Sequence, residues 1–393
     1  MKNGKISKNV IILGLVSFFN DFASEMVYPV VPIFLTTVLG APASIVGVIE
    51  GIAETTASLL KVFSGWLSDK LQKRKAFAIW GYTFSTFSKP IIGLASGWPL
   101  VLVGRFIDRF GKGVRTSARD ALIAENSQTG NIGKSFGYHR AMDTAGAVVG
   151  PLAAIFLIEY LGSNNLRPIF FIAFLPGLVG IILLLLFVRE RRATPKIAPP
   201  KFSLSNLNSQ FKIYILVSAF FAIGNSSDAF LILRAQNWGL PTAMSILAYV
   251  VFNFFYATLS TPAGWLSDRI GPKKILAFGF FLFAGIYLLF GLKHPGVLVW
   301  ILFAAYGFYM ALSEGIGKAY ISQIADKEMI ATSFGAYQTI IGICTFFASL
   351  IAGLLWSKIS PSAPFIFGAI LSAISGLVFI AYWRKNGNLV KNQ

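Results

Sequence analysis

Six charged residues crowd one stretch of an otherwise apolar sequence: Arg105, Asp108, Arg109, Lys112, Arg115 and Arg119. Their helical spacing places them on one broad face. A charge at the centre of a bilayer costs roughly 2.5–3.5 kcal/mol on insertion scales, so such a face must meet protein, a counter-ion or water. Lys112, Arg115 and Arg119 approach the end of the segment, where long cationic side chains can snorkel. Opposing carboxylates are available elsewhere. Asp21 and Glu25 stand one turn apart beside Asn20 and Ser24, Glu50 and Glu54 repeat that relation, and His139, Arg140 and Asp143 cluster further on. Asp228, and Glu314 with Lys318, complete the set. A carboxylate that burial discourages from ionising and a cation encourages can exchange a proton as its surroundings alternate. Asp21, Glu25, Asp108 and Asp143 therefore suit proton coupling, with the permanently charged Arg105 as the competing cation. The same groups equally suit a static ion-pair network that fixes helix packing. Neither a histidine-rich ligand cluster nor a phosphate-cradling loop is present, so no enzyme, metal site or cofactor is expected. The single cysteine, Cys344, has no partner within the chain.

The elements that must carry these charges are membrane spans. Of the residues, 55% are hydrophobic and only 13% charged, with a mean hydropathy of +0.68, a profile outside that of ordinary soluble domains. Taking about 20 residues as the minimum to cross a bilayer, hydropathy and breaker residues predict twelve spans. They lie at 8–36, 43–67, 76–96, 100–123, 135–160, 168–188, 211–235, 242–266, 274–292, 297–322, 332–357 and 363–383. The formal charge of +18 is distributed by side rather than gathered for nucleic acid. Lys2, Lys5 and Lys8, then Lys70, Lys73, Arg74 and Lys75, then Arg189, Arg191, Arg192, Lys196 and Lys201 all fall on one face. Arg269, Lys273, Lys274, Arg384, Lys385 and Lys391 join them, against only Arg167, Lys293 and Lys358 opposite. The positive-inside bias then makes both termini cytoplasmic, which an even number of spans requires.

The two halves of the chain repeat. Gly65-Trp-Leu-Ser-Asp-Lys returns as Gly264-Trp-Leu-Ser-Asp-Arg, each after the second span of its half and each followed by basic residues. Ser135-Phe-Gly returns as Ser333-Phe-Gly at nearly the same offset. Between the halves, the Pro-rich and then Ser/Asn-rich stretch 189–210 reads as a cytoplasmic linker joining bundles 1–188 and 211–393. Parallel six-span repeats put a substrate site near the midplane between them. The sequence from Gly65 through Asp69, Lys70 and Arg74, and its second copy with Asp268 and Arg269, resembles the loop signature of the major facilitator superfamily. Gln72 stands where that family usually has glycine. The resemblance implies an all-α membrane protein of twelve helices in two pseudo-symmetric six-helix bundles. It also implies that spans one, four, seven and ten line a central cavity, which is where Asp21, Glu25, Arg105, Asp108, Arg109, Asp228 and Glu314 fall. Asp69 and Asp268, with Lys70, Arg74 and Arg269, suit a latch that holds one conformation closed, or else a topological anchor.

Span five carries a second resemblance. Gly137, Gly146, Gly150 and Pro151 are similar to the glycine–proline antiporter motif of the exporter branches, although Ala154 and Ile155 replace its last two glycines. Small residues four apart form a groove for a neighbouring helix, and Pro151 removes a backbone hydrogen bond. These observations predict a monomeric, proton-coupled exporter of a small organic solute in the inner membrane, with lipid, protons and solute as its partners. Proton-coupled uptake of an organic anion, motivated by Arg105 and Arg109, is the alternative. Asp143 belongs with the coupling residues, and Gly146, Gly150 and Pro151 with those that gate.

Overall fold

The computed structural model is all-helical and describes residues 6–71, 73–127, 132–162, 165–190, 209–292, 296–325 and 330–390. Twelve long helices follow: α1 (Lys8–Val38), α2 (Ala43–Leu71), α3 (Arg74–Gly93), α4 (Trp98–Asn126), α5 (Ile132–Leu161) and α6 (Arg167–Phe187). Then come α7 (Ser209–Asn237), α8 (Thr242–Ile270), α9 (Pro272–Gly291), α10 (Leu298–Ile324), α11 (Ile330–Lys358) and α12 (Ala363–Val390). Local chemistry sets their starts. The Ser7 hydroxyl accepts from the Val10 amide at 3.3 Å and caps α1, while Pro99, Pro168 and Pro272 begin α4, α6 and α9 where an amide hydrogen has no helical partner. Gly271, between α8 and α9, has φ +90°, a conformation that costs a side-chain-bearing residue strain. Its counterpart in the first repeat, Gln72, lies outside the described residues.

Two of the expected spans are broken rather than continuous. In α1 the α-helix Lys8–Val27 gives way at Tyr28 and Pro29, resumes for Val30–Ile33, and ends in a wider π turn over Phe34–Val38. In α7 the helices Ser209–Gly224 and Ala229–Asn237 are separated by residues 225–228. Among the described residues, ten helices are long and apolar enough to cross a membrane on composition alone. The other two are α3 and α4, which carry most of the buried charges.

The helices divide into two units: Met1–Pro42, Ile52–Pro199 and Thr242–Leu247 form one, and Ala43–Gly51, Pro200–Pro241 and Ala248–Gln393 the other. Both follow the same plan. In the first, α1 packs on α5 and α6, and α3 on α4 and α6; in the second, α7 packs on α11 and α12, and α9 on α10 and α12. The first core is aliphatic around Val10, Leu13, Val16, Leu122 and Leu184, the second aromatic around Tyr214, Phe280, Tyr320 and Phe379. Each repeat also satisfies the carbonyl end of its third helix with arginine. Arg167 donates to the Gly93 carbonyl at 2.8 Å in the first, and Arg234 to those of Phe290 and Leu292 at 2.9 and 3.1 Å in the second.

Candidate functional site

The charges on α4 are buried in pairs inside the first unit. Asp108 is the centre of one group: the Arg105 guanidinium stands 3.4 Å from its Oδ2, the Lys89 ammonium of α3 stands 3.7 Å from its Oδ1, and the Ser85 hydroxyl donates to that same oxygen. Lys89 is only 1% exposed, and also donates to the Ser85 carbonyl at 2.7 Å and the Ser24 hydroxyl of α1 at 3.4 Å. Arg109 turns instead to Glu54 of α2 at 3.0 Å. Arg105 and Arg109 each lie 5.5 Å from the ring centre of Tyr28, the residue at which α1 breaks. Arg115 does not snorkel: it is buried, donates to Ser85 at 3.1 Å and lies over the Tyr82 ring at 4.8 Å. Arg119 pairs with Asp120 at 2.9 Å.

A second group joins α1 to α5. The Asp143 carboxylate accepts from the Ser17 hydroxyl at 2.7 Å, has Arg140 at 3.4 Å, and lies beside the Asp21 carboxyl. Asn20 donates to Asp21 at 3.2 Å, and the positive charges that act on Asp21 are Arg115 and Lys112. Glycine makes this approach possible. A β-carbon on Gly146 would stand 2.4 Å from the Phe18 carbonyl oxygen, and one on Gly150 would stand 2.6 Å from that of Phe22. Pro151 is buried one residue on. Gly137, the first glycine of the same pattern, has open space instead. Glu25 is half-buried one turn beyond Asp21.

In the second unit the Tyr306 hydroxyl of α10 donates to Asp228 at 2.8 Å. Glu314 is nearly half exposed, accepts from the Tyr256 hydroxyl and pairs with Lys318 at 3.3 Å. The two copies of the repeated loop differ. A β-carbon on Gly65 would crowd Ser117 of α4 at 2.9 Å, whereas Gly264 has open space. Arg74 pairs with Glu125, and Lys70, Asp268 and Arg269 are exposed; the Asp69 side chain lies outside the described residues. Two buried cations escaped the sequence reading. Lys89 lay within an expected span as a lone cation without helical-spacing partners, and Arg234 within another; a charge inside a span is itself the signal that could have singled them out.

Two copies of one six-helix plan, with ion pairs and paired carboxyls held among helices that lipid cannot solvate, define a multi-pass membrane transporter. The Major Facilitator Superfamily model matches residues 13–233 and again 213–392. The chain belongs to that superfamily. It is 39% identical over 386 residues to the uncharacterized MFS-type transporter MJ1317 of Methanocaldococcus jannaschii, covering 96% of this chain and 95% of that one. A more distant similarity, 24% over 185 residues, covers 47% of this chain and 46% of the quinolone resistance protein NorA of Staphylococcus aureus. Among solved structures, the fold is similar to that of the POT family transporter PepTSo, with a TM-score of 0.80, 12% identity and coverage of 97% and 99%. It also resembles the nucleoside transporter NupG, with a TM-score of 0.75, 13% identity and coverage of 96% and 99%.

Proposed function

We propose that the chain is a proton-coupled exporter of a small organic solute in the cell membrane. It works as a monomer by alternating access between bundles 1–188 and 211–393, with both termini cytoplasmic. The observation that carries this reading is the juxtaposition of the Asp21 and Asp143 carboxyls, set where Gly146 and Gly150 bring α5 against the α1 backbone. With one proton between them the two carboxyls hold the helices together; when that proton leaves, two like charges face each other and the contact weakens. Proton loss is thereby tied to a change in α1–α5 packing, which is what coupling requires. Arg105, Asp108, Arg109 and Glu25 line the solute path on the α1 and α4 side, and Asp228 and Glu314 contribute from α7 and α10. Asp69, Lys70, Arg74, Asp268 and Arg269 act at the basic loops as the latch. The similarity to NorA, a quinolone resistance protein by name, supports the outward direction.

The test is transport in proteoliposomes with an imposed pH gradient, screened across organic solutes and followed with a pH-sensitive dye. Solute and proton are expected to move in opposite directions, and Asp21→Asn and Asp143→Asn to remove the response to the gradient while solute exchange persists. Movement of both in one direction overturns export. It would favour uptake of an organic anion, a reading motivated by the two guanidinium groups of Arg105 and Arg109 gathered on Tyr28.

A further inference from the structure

The break in α7 has a composition of its own. Residues 225–228 read Asn-Ser-Ser-Asp and leave the helix after Gly224, so the carbonyl end of Ser209–Gly224, with its partial negative charge, and the amide end of Ala229–Asn237, with Asp228 at its N-cap, both terminate inside the second unit. Asp228 adds a full negative charge at the same place, with Tyr306 donating to one of its oxygens at 2.8 Å. Ser226 and Ser227 are each 7% exposed. Two further oxygens there are buried without a hydrogen-bond partner: the side-chain Oδ1 of Asn225 and the hydroxyl of Tyr287 in α9. The Tyr287 hydroxyl lies beside Ser226 and Tyr306 yet meets hydrogen-bond geometry with neither, and its side chain is 0% exposed. Gly368 of α12 closes the wall so tightly that a β-carbon on it would stand 2.4 Å from the Gly224 carbonyl oxygen.

A buried amide oxygen can only accept, and leaving it without a donor or a cation costs free energy. Here it shares the break with a carboxylate, the Ser226 hydroxyl, two tyrosine hydroxyls and the negative end of one half-helix, while the positive end of the other is met by Asp228 at its N-cap and by the Ser227 hydroxyl, which accepts from the Ala229 amide at 3.3 Å. Broken membrane helices present such oxygen sets to small cations. One carboxylate among neutral oxygens suits a single positive charge; divalent hard cations collect more carboxylates and water. We propose that the α7 break, formed by Asn225, Ser226 and Asp228 with Tyr287 and Tyr306, is a binding site for a monovalent metal cation of sodium size. The site uses neither Asp21 nor Asp143; it shares Asp228 with the solute path of the export reading, but equilibrium cation binding needs no transport direction, so its test is separate from that reading's.

The experiment is binding to the purified full chain in detergent, with no gradient. Thermal stability is followed as sodium chloride replaces choline chloride at constant ionic strength, with potassium chloride alongside, and radioactive sodium binding is measured on the same protein. The expected result is a saturable rise in Tm with sodium that choline does not give and potassium gives only at higher concentration. Sodium affinity should fall by about 10- to 100-fold in Asp228→Asn and Asn225→Ala. The tyrosines Tyr287, Tyr306 and Tyr309 act electrostatically with Asp228, so titration is repeated at two pH values. A stability change that follows pH alone assigns the site to a proton and overturns the sodium proposal. Sodium binding retained in Asp228→Asn and Asn225→Ala, or absent from the wild type by the radioactive assay, overturns it as well. The wild-type assay decides even if both variants fail to fold.

Discussion

Asp108 holds two cations at once, and neither has water to fall back on. Lys89 and Arg105 are 1% and 2% exposed, so removing the carboxylate takes a counter-charge from both inside the first unit. Breaking a buried ion pair by deleting one partner costs about 3–5 kcal/mol, more than the pair is worth against an apolar replacement of the whole. Asp108→Leu is therefore expected to lower the thermal stability of the detergent-solubilised protein by an amount of that order, or to abolish expression. Pairing it with Lys89→Met should recover part of the loss, which thermal unfolding of single and double variants measures; a single variant as stable as wild type would mean water reaches the cluster. The Arg105 and Asp108 pairing was legible because three residues along a helix bring side chains together. Lys89 was not, since its partners Asp108 and Ser85 reach it through tertiary packing as much as through its own helix. For the same reason the spacing of Arg115 suggested a snorkelling residue, when the Tyr82 ring and Ser85 hydroxyl of α3 hold it inside.

Helix contacts in a bilayer gain little from the hydrophobic effect, since lipid tails are as apolar as leucine, so close backbone approach decides which helices pair. On α5 that approach is made at Gly146 and Gly150, both against the α1 backbone. Gly150→Val is expected to push α5 off α1, costing about 1–3 kcal/mol or more as overpacking does, because the obstructing atoms are backbone and cannot rotate away. Gly137→Ala, with nothing within 4 Å of the added carbon, should leave both stability and transport near wild type. Comparing the two by thermal unfolding separates a packing groove from a general intolerance of change in α5; equal losses would refute the groove. The four-residue spacing was readable from the sequence, and so were the twelve long helices. The breaks were not. Pro29 hints at the one in α1, but at residues 225–228 of α7 no proline stands, and the Ser227 amide there is satisfied by a neighbour distant in sequence. That neighbour is the Ser349 hydroxyl of α11, which accepts from it at 3.3 Å.

At the scale of the whole chain, membership of the superfamily rests on a repeat, and the repeat requires α3 and α4 to cross the membrane although their composition alone does not mark them as spans. Length permits it: 20 residues in α3 and 29 in α4 at about 1.5 Å each reach across a hydrocarbon core of about 30 Å. Their charges are tolerable because Lys89, Arg105 and Asp108 face one another and not lipid. The positions of the termini cannot test this, since ten spans and twelve place both ends on the same side. The turn between α3 and α4 can. If both cross, the exposed Ser96 lies outside the cell while Ser127, just past α4, lies inside with the basic loops. In a Cys344→Ala background, which leaves no other thiol, Ser96→Cys is expected to react with a membrane-impermeant maleimide added to intact cells. Ser127→Cys should react only after the membrane is opened. Were both shielded in intact cells and both labelled on opening, α3 and α4 would form a charged hairpin on the cytoplasmic side. The first half would then lose its match to α9 and α10, and the buried ion pairs would have no membrane to be buried from.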